Sequence, residues 1–155
     1  MAEAVSSDLA ELIGPDRIFD RLRVADKAAL LGELGRRAGA LLGLPAAAIT
    51  ASLAAREALG STGVGHGIAV PHARLVGLGK LAGFFARLDR PLDFAAIDSR
   101  PVDLVFLLLS PADGAGAHLA ALAAMSRRLR DRAVAAAIRD ASGSAALRAA
   151  LIDGG

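Results

Sequence analysis

Val102-Asp-Leu-Val-Phe-Leu-Leu-Leu109 decides the fold. Successive side chains of a strand point to opposite faces, and from Leu104 to Leu109 both faces are apolar. Such a segment is predicted to be a central strand with helices above and below it. Leu81 to Leu88 (LAGFFARL) is a second short apolar run, bounded like the first by Gly, Pro, Asp and Ser. Residues 18 to 24 (IFDRLRV) read as a further strand. Ile68-Ala-Val70 reads as a short strand that Pro71 ends, because proline donates no ladder hydrogen bond.

Helical spacing fills the intervals. Leu30, Leu34, Ala38, Leu41 and Leu42 recur on one face, with Asp26 as N-cap and Gly43 as stop, so residues 26 to 43 are predicted to be a helix. Pro45 suits the first turn of a second helix, whose stripe is Ile49, Ser52, Leu53 and Arg56 and which fails at Gly60. After a turn at Ser110-Pro-Ala-Asp-Gly114, the period resumes from about Ala115, placing His118, Leu122, Met125 and Leu129 on one stripe. From Asp131 the chain is helical apart from a break at Gly143. Helices alternating with doubly buried strands predict an α/β layer fold, helices on both faces of one sheet, as a single domain over residues 1–155.

The hydrophobic share of 54% excludes a disordered chain, although Ala inflates it; with 3% aromatics, Leu, Ile, Val and five Phe must supply the core. Lys+Arg of 18 against Asp+Glu of 16 leaves +2, which does not point to nucleic acid. The arginines at 127, 128, 130 and 132 have no aromatic interleaving for base stacking; they read as a solvated face, with an acidic partner surface as the lesser reading. Cys is absent, which removes disulfides, thiolate nucleophiles and Cys-ligated zinc. The first residues carry Glu3 and Asp8 in place of a basic export signal. The longest apolar runs, Leu104 to Leu109 and Ala133 to Ile138, fall well short of the roughly 18 residues of a membrane span. A cytoplasmic protein without membrane insertion is expected.

Chemistry then rests on His66, His72 and His118, on Ser and Thr, and on charged groups in apolar surroundings. Gly60-Ser-Thr-Gly-Val-Gly-His-Gly67 holds four Gly in eight positions, so it is predicted to be a loop. It lacks the Lys-Ser/Thr of a P-loop and the last Gly of a dinucleotide fingerprint. It retains backbone N–H groups that can approach an anion, with Ser61 and Thr62 as further donors. His72 follows a strand and reads equally as a functional residue or a surface loop histidine. His118 lies on an inward stripe in the first turn of its helix, where it serves either an anion site or a core hydrogen bond to a carbonyl. Arg56 is either an anion clamp or a cation answering the helix C-terminus. Glu57, about 100° further round, is expected to face solvent. The spacing of His66 and His72 fits no helical metal pair, and no metal site is expected.

The segment from Arg56 through Gly60-Ser-Thr-Gly-Val-Gly-His-Gly-Ile-Ala-Val-Pro-His72 resembles the signature of the type 2 IIA proteins of the bacterial phosphoenolpyruvate-dependent sugar phosphotransferase system, most of all their nitrogen-regulatory branch. The likeness continues through Pro91-Leu-Asp-Phe-Ala-Ala-Ile-Asp98, Pro101-Val-Asp-Leu-Val-Phe106 and His118-Leu119, covering nearly the whole chain. The resemblance implies a single α/β domain with a mixed sheet between helices. It implies that His72 is the phosphorylated histidine, His118 the second active-site histidine and Arg56 the active-site arginine. Ser61, Thr62 and Gly63 are the expected phosphate-binding positions of the glycine loop. The expected donor is a phosphorylated histidine carrier protein, without cofactor or metal, and the expected partners are regulatory effectors such as kinases or transporters. Two alternatives stand beside this: a sugar-transport IIA component passing phosphate to a permease subunit, and a non-catalytic binding module.

Overall fold

The computed structural model describes residues 9–153; Glu3 and Asp8 lie outside them. Six strands form one mixed sheet: β1 (Ile18–Leu22), β2 (Gly63–Gly65), β3 (Ile68–Ala69), β4 (His72–Leu75), β5 (Ala82–Leu92) and β6 (Val102–Pro111). Helices flank it, among them α1 (Lys27–Leu42), α2 (Ala46–Ala58), α3 (Ala115–Arg130), α4 (Arg132–Asp140) and α5 (Ser144–Asp153), and residues 9–12 are helical too. The order across the sheet is β1-β5-β6-β3-β2, with β4 also paired to β6. β5 is antiparallel to β6, whereas β3 and β4 both run parallel to β6.

The decisive stretch lies at the centre, as its two apolar faces require. Val105, Leu107 and Leu109 join Phe84 and Ala86 beneath Leu30 and Leu34 of α1 and Ile49 and Leu53 of α2. Leu104, Phe106 and Leu108 join Phe85 against Met125 and Leu129 of α3, Val134 and Ile138 of α4, and Leu147 and Leu151 of α5. Burying each such side chain contributes roughly 1.5–3 kcal/mol, so this one strand ties both helical layers to a common sheet.

The helix signals act where the sequence places them. Asp26 accepts the Ala29 N–H at 2.8 Å and caps α1, and Gly43 ends it with φ of 69°. Pro45 is itself the N-cap of α2, one residue earlier than expected. Asp131 caps α4 by accepting the Ala133 N–H at 2.9 Å.

Three strand expectations are corrected. The glycine stretch is not wholly a loop, because Gly63–Gly65 pairs antiparallel with β3. Two residues, His66 and Gly67, close this hairpin with φ of 58° and 79°, the pattern of a turn that matches strand twist. Pro71 does end the short strand β3, but the chain pairs with β6 again from His72, which therefore does not sit in a loop. Ile68 faces Leu104 and His72 faces Leu108, so one register runs through the proline, whose carbonyl still accepts the Leu108 N–H at 3.1 Å. The proline nitrogen faces β6 together with that carbonyl, so the ladder lacks one donor at this point and is broken between Ala69 and His72. Finally, β6 runs on through Ser110 and Pro111, shortening the expected turn.

Phe106 is fully buried at the middle of β6. Phe106→Ala is expected to lower folding stability by roughly 3–5 kcal/mol, read as a drop in the urea midpoint at unchanged slope. A midpoint within error of wild type would contradict the two-layer core.

Candidate active site

Parallel pairing places the carboxyl halves of β4 and β6 side by side, and in open α/β sheets ligands gather at such strand ends. His72 opens β4 opposite Leu108. Two residues beyond Leu108, Ser110 lies on the same face of β6 as Leu104, Phe106 and Leu108, the face that α3 covers. The chain then turns and enters α3, whose first turn carries His118. The two imidazoles meet edge to face with centroids 5.1 Å apart.

Hydrogen bonds fix the chemistry of His72. Its Nδ1 lies 2.7 Å from the Val70 carbonyl oxygen. A carbonyl oxygen only accepts, so Nδ1 carries the ring proton and Nε2 presents a lone pair. Arg56 Nε donates to that Nε2 at 3.2 Å, while Arg56 Nη1 donates to the Gly60 carbonyl at 2.9 Å. Burial, and after it the Arg56 guanidinium, hold His72 below the ordinary imidazole value of 6.5, against the opposing pull of the Val70 carbonyl and Glu57. His118 is buried, and its Nδ1 is hydrogen-bonded to the Ser110 hydroxyl. Burial also lowers the pKa of His118, with His72 and Arg74 as further causes. Both rings are therefore neutral at pH 7.

The glycine loop uses its donors internally. Ser61 donates its hydroxyl to the Phe94 carbonyl at 2.9 Å and accepts the Gly63 N–H at 3.0 Å. Gly63 is packed so closely that a Cβ there would lie 2.9 Å from Ala96 Cα. Thr62 is buried, and its N–H and hydroxyl both go to the Glu57 carboxylate. Glu57 faces inward, which corrects the solvent-facing expectation. Its side chain is 6% exposed and lies 2.7 Å from Lys27 Nζ. Lys27 in turn donates to the Phe94 carbonyl at 3.2 Å and sits 4.4 Å from the Phe94 ring centre. Removing one member of a buried pair leaves an uncompensated charge, so Lys27 and Glu57 hold the loop in place jointly.

His72, His118 and Arg56 thus come together, while Ser61, Thr62 and Gly63 form the adjoining wall. Three further residues escaped the sequence reading. Glu57 is four residues beyond Leu53, so it flanks the buried stripe of α2 just as Arg56 does at three. Ser110 could have been found from its parity with Leu104, Phe106 and Leu108. Lys27 gives no comparable sign, since its partner is distant in sequence. Among the described residues, no three His, Asp or Glu side chains gather as metal ligands would.

Comparisons with known proteins agree with this geometry. Residues 11–154 match the family described as phosphoenolpyruvate-dependent sugar phosphotransferase system, EIIA 2. A nitrogen regulatory protein of Bradyrhizobium diazoefficiens is 48% identical over 132 residues, 84% of this chain and 86% of its own length. That of Escherichia coli strain K12 is 35% identical, covering 86% of this chain and 82% of its own. The crystal structure of the nitrogen regulatory protein IIA-Ntr from Neisseria meningitidis superposes with a TM-score of 0.86 at 33% identity, covering 92% of this chain and 98% of that one. Signature, sheet order and paired histidines therefore converge, and the chain belongs to the EIIA 2 family of the phosphoenolpyruvate-dependent sugar phosphotransferase system.

Proposed function

We propose that the protein is a phosphoryl carrier of the nitrogen-regulatory kind, which takes phosphate from a phosphohistidine carrier protein onto His72 and signals through its phosphorylation state. The observation that carries this reading is the Val70 carbonyl bound to His72 Nδ1, which leaves Nε2 unprotonated beside Arg56 and His118. The regulatory branch is favoured because relatives spanning more than four-fifths of both chains are nitrogen regulatory proteins. A fructose-specific EIIA component from Haloferax volcanii aligns over only 50% of this chain.

In the transfer step, the Nε2 lone pair forms the new P–N bond as the donor imidazole leaves with the electron pair of the old one. The Nδ1 proton stays in place on its carbonyl and offsets the incoming charge, so no proton has to move. Charge in such a step spreads over three equatorial oxygens, and the protein's part is to place donors around them. Arg56 Nε–H, which caps the lone pair at rest, has to shift only from Nε2 to an oxygen bound to it. With the Ser110 hydroxyl donating to His118 Nδ1, one of the two directions this hydrogen bond allows, His118 Nε2–H serves as a neutral donor. Ser61, Thr62 and Gly63 support the reaction by holding the wall rigid, through Glu57 and Phe94. A phosphate here adds close to two negative charges next to His118, whose chain neighbour Leu119 is 64% exposed, and so changes what that surface will bind.

Incubation with phosphoenolpyruvate and the upstream carrier proteins is expected to add one phosphoryl group, mapped to His72 by fragmentation. His72→Ala should abolish the gain, and His118→Ala or Arg56→Gln should slow it by about 10²-fold. A wild-type chain that never gains mass, or an H72A variant that still does, would refute the assignment.

The titration of His72 supplies a second check. Its pKa is lowered, so the acceptor form is already the majority at pH 6.5 and is lost as pH falls through the lower value. The acceptance rate is expected to stay above half of its high-pH plateau at pH 6.5 and to decline below it. Because the guanidinium opposes protonation, R56Q should raise the His72 midpoint in an NMR titration. A wild-type midpoint above 6.5 would count against the buried, neutral nucleophile.

A further inference from the structure

A cavity of about 630 Å³ has a lining that includes neither His72 nor His118. It opens where β3 and β6 begin, between the His66–Gly67 turn and the junction of α3 with α4. Arg100, Arg130, Arg132 and Arg139 line it, with Asp140 as its one carboxylate among the described residues. The floor is apolar: Ile68, Leu129 and Ala135 are all buried.

The neighbouring acids make their hydrogen bonds to other groups, although the Asp98 carboxylate also feels the Arg100 charge. Asp103 holds Arg139 through hydrogen bonds of 2.9 and 2.8 Å. Asp131 caps α4. Asp98 accepts the backbone N–H groups of His66 at 2.9 Å and Arg100 at 3.1 Å. Among the described residues, no hydrogen bond or ion pair engages the guanidinium groups of Arg100, Arg130 or Arg132. All four arginines are exposed. Here they come from three segments onto one concavity, an arrangement that concentrates positive potential over a low-dielectric floor. The rim is also held in a demanding backbone: His66 and Ser99 have φ of 58° and 62°, a left-handed conformation uncommon for residues other than glycine.

The geometry points to a second binding site, for a small polyphosphate anion, in this arginine-lined cavity. Its volume is that of a small-molecule site. Three free guanidinium groups exceed what a single phosphate needs and suit two or three linked phosphoryl groups, each able to take paired N–H donors. The apolar floor can receive an organic group attached to them. Inorganic tripolyphosphate and a nucleoside diphosphate share this chemistry. Nothing in the site depends on the carrier role of His72.

The test is an NMR titration of the 15N-labelled full chain with tripolyphosphate, ADP and inorganic phosphate, following the amides of Gly67, Leu129 and Ala135. Saturable shifts are expected, tighter for tripolyphosphate or ADP than for phosphate. ADP binding more tightly than tripolyphosphate shows that the floor takes the organic group; the reverse order shows that charge suffices. R130Q/R132Q is expected to weaken binding by about 10²-fold, about tenfold for each guanidinium removed, while accepting phosphate on His72 at the wild-type rate. Absent or unsaturable shifts overturn the proposal, as do shifts confined to the surroundings of His72 or undiminished in R130Q/R132Q. Shifts with an oligoglutamate peptide and none with tripolyphosphate overturn it in favour of an acidic protein partner. Failure of phosphoryl acceptance alone leaves these readouts intact, so the two proposals fall separately.

Discussion

The pairing of residues 68–75 with β6 in one uninterrupted register is the constraint on which the site depends. It sets His72 against Leu108, and thereby two residues from Ser110, the last residue of β6 on the face that α3 covers. Side-chain direction alternates along a strand, so a slip of one residue would send the imidazole to the opposite face. The register is hard to slip because β6 is apolar on both sides and packed by two helical layers. Core packing and site geometry are in this sense one property, and the register is the same on both sides of the proline that separates β3 from β4.

Electrostatically, the site is assembled from groups that are mostly neutral or already paired. Two imidazoles are kept uncharged by burial, and Glu57 is matched by Lys27. Arg56 is the cation that touches the lone pair directly. A permanent charge beside a neutral nucleophile helps twice: it opposes protonation before transfer and offsets negative oxygen afterwards. The Val70 carbonyl adds orientation, because a ring tied at Nδ1 presents a single nitrogen in a single direction.

Much of this was legible in the sequence. The run ending at Leu109 carried its own position in the sheet, and Asp26, Gly43 and Asp131 marked helix ends through local hydrogen bonding that does not depend on distant residues. The inward stripe of α3 likewise placed His118 beside the core. What escaped was non-local. Whether Gly63–Gly65 pairs depends on β3 and on the conformation of His66, and whether the chain pairs again beyond Pro71 depends on β6 continuing alongside it. Glu57 was assigned to solvent because helical angle alone cannot show that Lys27 and Thr62 stand ready to receive a carboxylate.

The tether between His72 and Val70 also bears on traffic through the site. A ring that cannot spin offers the same line of approach for loading and for unloading. On the carrier reading, donor and recipient must therefore visit one face of the molecule in turn, each excluding the other. Their abundances would compete directly, and the charged fraction of the protein would report which of the two is winning.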